Sequence, residues 1–394
     1  MYLTREEERI LKGEEGPARQ LAMKLLVRIG EALGAERLIR ISHAHVSGVS
    51  YSNIGDPGLE FIEGLASGGR VAVYSTFNPA GAPLGMDPPY PVPREHVEKQ
   101  ARIVKALLRM GFEPSGTCIP YALRRPRPGE HLAWGESSAV AVANTLYGAR
   151  TNREGGPVAL AAALVGRTYL WGLHLEENRR PTITVRVETL PRGEVEAGLL
   201  GYMIGKLFSG ELPYLDAGRL TKRQVIAMCA AAAASGSTAM CVVRHVSPED
   251  QGPPGGVERA ALGPDDLREA REEVESASLD EAELFFTGCP HHPEHVVNRV
   301  LELMEAHGVS RLRRPVWIAV PGRASRPLAT LAGELARRNI RILPGTCLVV
   351  STLGRSGLKA IATDSVKSAF YLPRRHGVRV ALASLEDFVK AYGA

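Results

Sequence analysis

The sequence predicts an α/β protein built on parallel sheets with flanking helices, and three observations lead there. From about Thr238 onward, short apolar runs alternate with segments of helical periodicity, the pattern of successive βαβ units. The chain has 394 residues, enough at roughly 150 residues per domain for two or three domains with real cores. Apolar residues make up 44% and charged residues 23%, which excludes bulk disorder.

Each element has its own signal. Thr4-x-x-Glu7 is a capping box, and Pro17 opens a second helix running to about Gly34. A strand over Leu38–Ile41 leads into a Gly/Ser/Asn-rich loop from Ser42 to Pro57. Arg70–Tyr74 reads as a strand, Ser75–Gly81 as a loop and Arg94–Met110 as an amphipathic helix. Gly/Pro-rich loops fill Ser115–Glu136, and two helices follow, separated by Gly148–Gly156. Thr182–Val187 is strand-like and Glu194–Phe208 an apolar helix. Val225–Val243 is the most apolar stretch. Ser235-Gly-Ser-Thr238 interrupts it short of the ~20 residues of a membrane span, so it reads as an alanine-rich buried helix turning into a strand. Further strands are expected at Met240–Arg244, Leu284–Phe286, Val316–Val320, Ile340–Leu343 and Lys359–Ala362. Helices are expected at Pro264–Glu275, Glu294–Ala306, Arg326–Arg337 and Leu385–Tyr392. Proline, glycine and charge crowd Pro248–Gly263, which suggests an approximate division into residues 1–250 and 251–394.

Charge and motifs narrow the function. The net charge is +5, and nine lysines leave 39 arginines among the 48 basic residues. No basic run interleaved with aromatics suggests nucleic acid, and guanidinium forks suit carboxylate or phosphate. An acidic, polar N-terminus and an odd five cysteines point to a cytoplasmic protein without a disulfide framework. Gly205-Lys206 lacks the rest of a phosphate loop. Gly135-Glu-Ser-Ser-Ala139 lacks the closing glycine of a nucleophile elbow, and no Gly-x-Gly-x-x-Gly follows a strand.

The cysteines fall into two settings. Cys229 lies in the alanine-rich helix and Cys241 in an apolar strand, both core positions. Cys118 and Cys347 close two copies of Gly-Thr-Cys, and Thr287-Gly-Cys289-Pro is a variant. A glycine just before a cysteine lets the backbone approach closely and leaves room for an inorganic group. Cys289 and Cys347 follow strands, where the loops of a parallel sheet line a ligand crevice. Three thiolates on three loops fit a soft metal centre with an open position, iron–sulfur or zinc. Chance agreement of ordinary loops is the alternative. His291, His292 and His295 keep zinc in view, although a solvated helix start explains them as well.

Two polar loops offer anion contacts. Asn144-Thr-Leu-Tyr-Gly-Ala-Arg150-Thr-Asn-Arg153-Glu-Gly-Gly156 combines arginines, asparagines and glycines between helices. A helix cap at Gly148 with a solvated turn is the plainer account. His43–Asp56 is similar in kind, and Asn78-Pro79-Ala-Gly81 on its own is a turn. Thr363-Asp-Ser-Val-Lys367 offers one cation at a helix cap.

Taken together, the segments His45–Phe61, Phe77–Gly81, Gly116–Tyr121, Trp134–Ala139, Gly148–Gly156 and Thr287–Pro290 resemble the aconitase X family, and the likeness extends to the last strand. The chain is similar to the large catalytic subunit of the family's two-subunit form. The resemblance implies an aconitase-type body of several α/β domains that lacks the swivel domain. That domain is expected on a small partner subunit, in a heterodimer or larger assembly. It implies a 4Fe–4S cluster on Cys118, Cys289 and Cys347, with one iron open. The implied reaction is loss of water from (R)-5-phosphomevalonate to trans-anhydromevalonate 5-phosphate, in an archaeal-type mevalonate route to isoprenoids. The base is expected on the small subunit. Gly48, Val49, Ser50, Asn78, Pro79, Ser138, Asn144, Arg150 and Arg153 are the expected substrate contacts. Hydroxyproline dehydration, an activity of bacterial relatives, is the alternative within the family, and a zinc-bound regulatory subunit is the alternative outside it.

Overall fold

A computed structural model describes residues 1–83, 86–293, 295–324, 328 and 330–394. Its first third contains α1 (Arg5–Lys12), α2 (Pro17–Ala32), β1 (Leu38–Arg40), β2 (His43–Val46), α3 (Tyr51–Ala66), β3 (Tyr74–Phe77), α4 (Arg94–Arg109), α5 (Pro120–Leu123), β4 (Ala133–Trp134), α6 (Ser137–Tyr147), α7 (Gly156–Val165) and β5 (Arg167–Tyr169). The middle contains β6 (Ile183–Val187), α8 (Gly193–Leu207), β7 (Pro213–Asp216), α9 (Lys222–Ser235), β8 (Val242–Val243), β9 (Glu258–Leu262) and α10 (Pro264–Val274). The last part contains β10 (Phe285–Thr287), α11 (Val296–Ala306), β11 (Val316–Val320), α12 (Ala332–Arg337), β12 (Ile340–Pro344), β13 (Ala360–Thr363), α13 (Val366–His376), β14 (Arg379–Leu382) and α14 (Leu385–Tyr392).

The expected parallel architecture is present three times over. The sheets run β3-β2-β4, β8-β7-β6-β9 and β12-β11-β10-β13-β14, and every pairing within them is parallel. β1 and β5 pair antiparallel, as a separate ribbon. In each parallel sheet the chain works outward from one strand in both directions, from β2, β6 and β10. Those strands are topological switch points, and a crevice opens at their carboxyl ends. One continuous core joins residues from all three sheets, from Trp134 through Val185 to Val380. No helix among the described residues is long and apolar enough to cross a membrane.

Several expectations shift. The loop expected over 42–57 contains β2 and the start of α3, because His43 and His45 are buried beside a strand rather than solvated. The strand expected over 70–74 begins only at Tyr74. Val71 and Val73 still pack against the core, while Val71 N–H donates to Met110 O at the end of α4 and Ala72 N–H to Ala163 O in α7. Ser115–Glu136 holds α5 and β4 as well as loops. The capping box at Thr4 and Glu7 forms, and the alanine-rich stretch is α9 followed by β8. The helix expected from Arg326 starts outside the described residues, and α12 covers its end.

Candidate active site

Three cysteine loops meet at the carboxyl ends of β3, β10 and β12: Thr117 N–H donates to Phe77 O at the end of β3, and Cys289 and Cys347 directly follow β10 and β12. Gly116, Gly322 and Gly345 make the meeting possible. A Cβ on Gly345 would sit 3.2 Å from the Gly322 Cα, and one on Gly116 3.3 Å from the Gly345 Cα. Main-chain bonds fasten the loops: Gly322 N–H donates to Ser115 O at 2.9 Å, and Cys347 N–H donates to Ala80 O at 3.0 Å.

His291 is the clasp between them. Its backbone N–H points at Cys118 Sγ, 3.2 Å away. Its Nε2 lies 2.9 Å from the Thr346 carbonyl, which can only accept, so Nε2 carries the proton. Nδ1 is then the acceptor for the Thr117 hydroxyl at 3.3 Å. Burial pushes the imidazole down to about 4, so it is neutral in this role. One residue therefore spans the loops of Cys118, Cys289 and Cys347. His292 is half-buried, with Nε2 2.6 Å from the Thr287 hydroxyl. His295 is exposed, so the solvated reading of the three histidines fails for His291.

The sulfurs share one electrostatic environment. Burial raises all three thiols, with Cys347 at about 12, and charge on Cys289 would raise Cys118 and Cys347 further. The Lys367 ammonium works the other way on each of them. Cys229 and Cys241 are buried in the core, as expected. Among the described residues no three His, Cys, Asp or Glu side chains are grouped to hold a single metal ion. Cluster-ligating cysteines each bind a different iron, so their sulfurs need not crowd as around one ion. Soft donors on three glycine-cradled loops, with a cation beside them, fit such a group.

Next to the cysteines is a buried ion pair that the sequence did not single out. Lys367 Nζ lies 2.6 Å from Glu136 Oε1 and 3.2 Å from Ser138 Oγ. Glu136 also accepts from Asn78 Nδ2 at 2.7 Å and from Ser138 Oγ at 3.0 Å. Burial opposes its ionisation, but Lys367 and these hydrogen bonds outweigh burial and hold it at about 2. Burial likewise opposes the Lys367 charge, and Glu136 more than restores it.

The pair is oriented from below. Because Asn78 Nδ2 faces Glu136, its Oδ1 accepts from His45 Nε2 at 2.8 Å. His45 Nδ1 must then accept from the Thr76 hydroxyl, and Thr76 accepts from His43 Nε2, each at 2.8 Å. Burial keeps His45 at about 4 and His43 well below its usual range, so both rings are neutral.

The expected substrate residues separate into two groups. Asn78 and Ser138 touch Glu136, and Pro79 is buried beside Asn78. Gly48, Val49 and Ser50 follow β2; Gly48 has φ +69°, and Ser50 Oγ donates to Val350 O at 2.9 Å. Asn144 is committed within the chain. It donates to Thr151 O and Ala239 O and accepts from Thr151 N–H and Arg179. Arg150 pairs with Glu176 and donates to His174 O, while Arg153 is exposed. Glu136 and Lys367 had partial signals, in the failed elbow and in the capped helix. The His43–Thr76–His45 chain had none, since it depends on pairing between strands.

Comparison with known proteins finds relatives over the whole chain. Family profiles described as the first, second and third domains of aconitase X cover residues 1–177, 181–272 and 282–394. The phosphomevalonate dehydratase large subunit of Thermococcus kodakarensis is 41% identical, over 99% of both chains. The protein of the same description from Methanocaldococcus jannaschii is 37% identical over 99% of this chain and 100% of that one. A cis-3-hydroxy-L-proline dehydratase of Pseudomonas aeruginosa is 33% identical over 98% of this chain but only 69% of its own length. A crystal structure of Thermococcus kodakaraensis aconitase X in its holo-form superposes with a TM-score of 0.91, at 38% identity and full coverage of both chains.

Proposed function

The chain belongs to the aconitase X family, and on that premise we propose that it is the large subunit of a hydro-lyase that dehydrates (R)-5-phosphomevalonate to trans-anhydromevalonate 5-phosphate. The observation that carries this reading is the juxtaposition of three soft sulfur ligands with a buried Lys367–Glu136 pair at the carboxyl ends of parallel strands. Five archaeal relatives described as phosphomevalonate dehydratase large subunits support the substrate, at 37–41% identity. We place the reaction in an archaeal-type mevalonate route to isoprenoids, and the protein in the cytoplasm, where thiols stay reduced.

Cys118, Cys289 and Cys347 would hold a 4Fe–4S cluster. When bound, such a cluster with an open iron supplies Lewis acidity toward a tertiary hydroxyl and a carboxylate. The chain's own residues bind and orient. Lys367 keeps its proton on Nζ, because Glu136 stabilises the ammonium, and it presents a fixed positive charge where the substrate carboxylate gains negative character. Asn78 and Ser138 fix Glu136, so the cation cannot drift toward the sulfurs. Gly48-Val49-Ser50 and Asn78-Pro79 line the site alongside the Cys347 loop, tied to it through Ser50–Val350 and Ala80–Cys347 hydrogen bonds. Asn144 and Arg150 hold the 144–156 loop in shape, and Arg153 marks its outer edge. The family resemblance assigns the base that removes the α-proton to the small, swivel-domain subunit, and Glu136, His45 and His291 are already committed here as hydrogen-bond partners.

The test is anaerobic reconstitution of the chain with its small subunit, iron and sulfide, followed by NMR of (R)-5-phosphomevalonate and, separately, cis-3-hydroxyproline. Loss of water from the first alone is the expected result. Turnover of the proline alone would replace this reading with the family's other activity. Stoichiometric zinc without acid-labile sulfide in the purified protein would defeat both.

A further inference from the structure

A cavity of about 370 Å³ opens beside Cys289 and Lys367, lined by elements of all three parts of the chain. The first turns of α9, α11 and α13 all reach it, through Lys222, Val296 and Val366. Each of these helices follows the carboxyl end of a parallel strand, β7, β10 and β13 respectively, where the crevice of such sheets lies. Three positive dipole ends at one cavity favour an anion.

Its mouth adds formal charge. Lys222, Arg223 and Arg299 line it, with Glu194 between the two guanidiniums, 3.8 Å from Arg223 and 3.4 Å from Arg299. Three cations against Glu194 and the deeper Asp364, which also lines the cavity, leave the mouth net positive, as a phosphate monoester requires. The pairs with Glu194 are long and half-exposed, so they exchange readily for a better acceptor. Lys367, deeper in, is already matched by Glu136 and serves the carboxylate end. The substrate's phosphate is two methylenes from the carbon that loses hydroxide, so a substrate anchored at the cysteines extends its phosphate outward. Neither Arg150 nor Arg153 lines this cavity.

We infer that Lys222, Arg223 and Arg299 at the mouth of this cavity form the subsite for the phosphate group of the substrate. The inference rests on the dehydratase reading above, but the anion site can be tested without turnover.

In the reconstituted complex, Arg223→Ala and Arg299→Ala should each raise KM for phosphomevalonate by about 10- to 100-fold with kcat nearly unchanged, as expected for loss of a charge-assisted contact. The Ki of inorganic phosphate as competitor should rise in parallel. Turnover of unphosphorylated mevalonate should be unaffected, and Arg94→Ala, on a distant exposed helix, should behave as wild type. Arg223→Lys should recover part of the loss. An unchanged KM in both alanine variants, or a fall in kcat alone, overturns the assignment. Should the wild-type complex leave phosphomevalonate intact, the dehydratase reading falls, and calorimetric titration of the full chain with inorganic phosphate decides the site separately. Weaker binding in the two variants then upholds an anion subsite for another phosphorylated substrate, and equal binding removes it.

Discussion

Cysteines of one type carry opposite expectations here, and the difference lies in what surrounds each sulfur. Cys118, Cys289 and Cys347 stand on converging loops beside a cation, whereas Cys229 and Cys241 are enclosed by apolar side chains. Replacing any of the first three by serine should abolish the visible iron–sulfur absorption as well as turnover. Cys229→Ala and Cys241→Ala should keep both and lose about 1–2 kcal/mol of stability, since each removes one small buried group. Loss of the spectrum in Cys241→Ala with retention in Cys289→Ser would reverse the assignment. The buried glutamates diverge in the same way. Glu136 is held at about 2 by Lys367 against the cost of burial. Its contribution to stability is therefore present above its ordinary value of 4.5 and is lost as pH falls toward 2. Glu154 has no cation beside it among the described residues. Burial raises it to about 7 despite hydrogen bonds from Tyr169 and Thr168. The folded chain thus binds the extra proton between 4.5 and 7, and stability falls as pH rises through that window. Glu154→Gln should flatten this slope and add on the order of 2–3 kcal/mol at pH 8, read from urea melts across pH. An unchanged slope would mean that the carboxyl is ionised throughout.

Between elements, the tightest packing is that of α8 against α9, and it depends on glycine. A Cβ on Gly201 would lie 2.1 Å from the Met228 carbonyl oxygen, and one on Gly205 2.5 Å from that of Ala232. Both obstacles are backbone, so the helices would have to separate. Gly201→Ala should therefore cost about 1–3 kcal/mol despite its better helix propensity. α9 also carries Lys222 and Arg223 to the cavity, so the loss of melting temperature should come with weaker phosphate binding. A variant as stable as wild type would show that the pair can slide apart freely. This packing also marks how far the sequence could be read. The alanine run announced α9 as a buried helix, and four strands of the last sheet stood out as apolar runs, while β14 and the α8–α9 contact did not. The short strands did not. β2 reads His-Ala-His-Val, and its burial rests on Thr76 and Asn78 some 30 residues away. β4 has two residues, too few for any periodicity. In the site, the cysteines were legible because Gly-Thr-Cys recurs. Glu136 and Lys367 were not paired in advance, since they are 231 residues apart and nothing local links them.

The assembled chain brings its three sheets to one crevice and leaves that crevice open. Cys289 and Cys347 keep partial exposure, and the adjoining cavity has three cations at its mouth. Proton abstraction next to a carboxylate needs a base shielded from water, because bulk solvent both levels the base and screens the charge that develops. The groups described in the crevice are poorly suited to that task. Glu136 is ionised but saturated with donors, and His45 and His291 are neutral rings with both nitrogens engaged. Freeing any of them would undo the scaffold that positions Lys367 or the cysteine loops. On the proposed reading the base and the closing surface arrive together, on the small subunit. The purified chain alone should melt cooperatively, take up iron and sulfide, and bind phosphate, yet give no dehydration. Titrating in the small subunit should restore turnover, saturating at equimolar subunits. Full activity from the chain alone, with one band on a denaturing gel, would place the base within this chain. The search would then turn to Asp364, which burial raises to about 7 despite the Thr287 hydroxyl it accepts from at 2.7 Å.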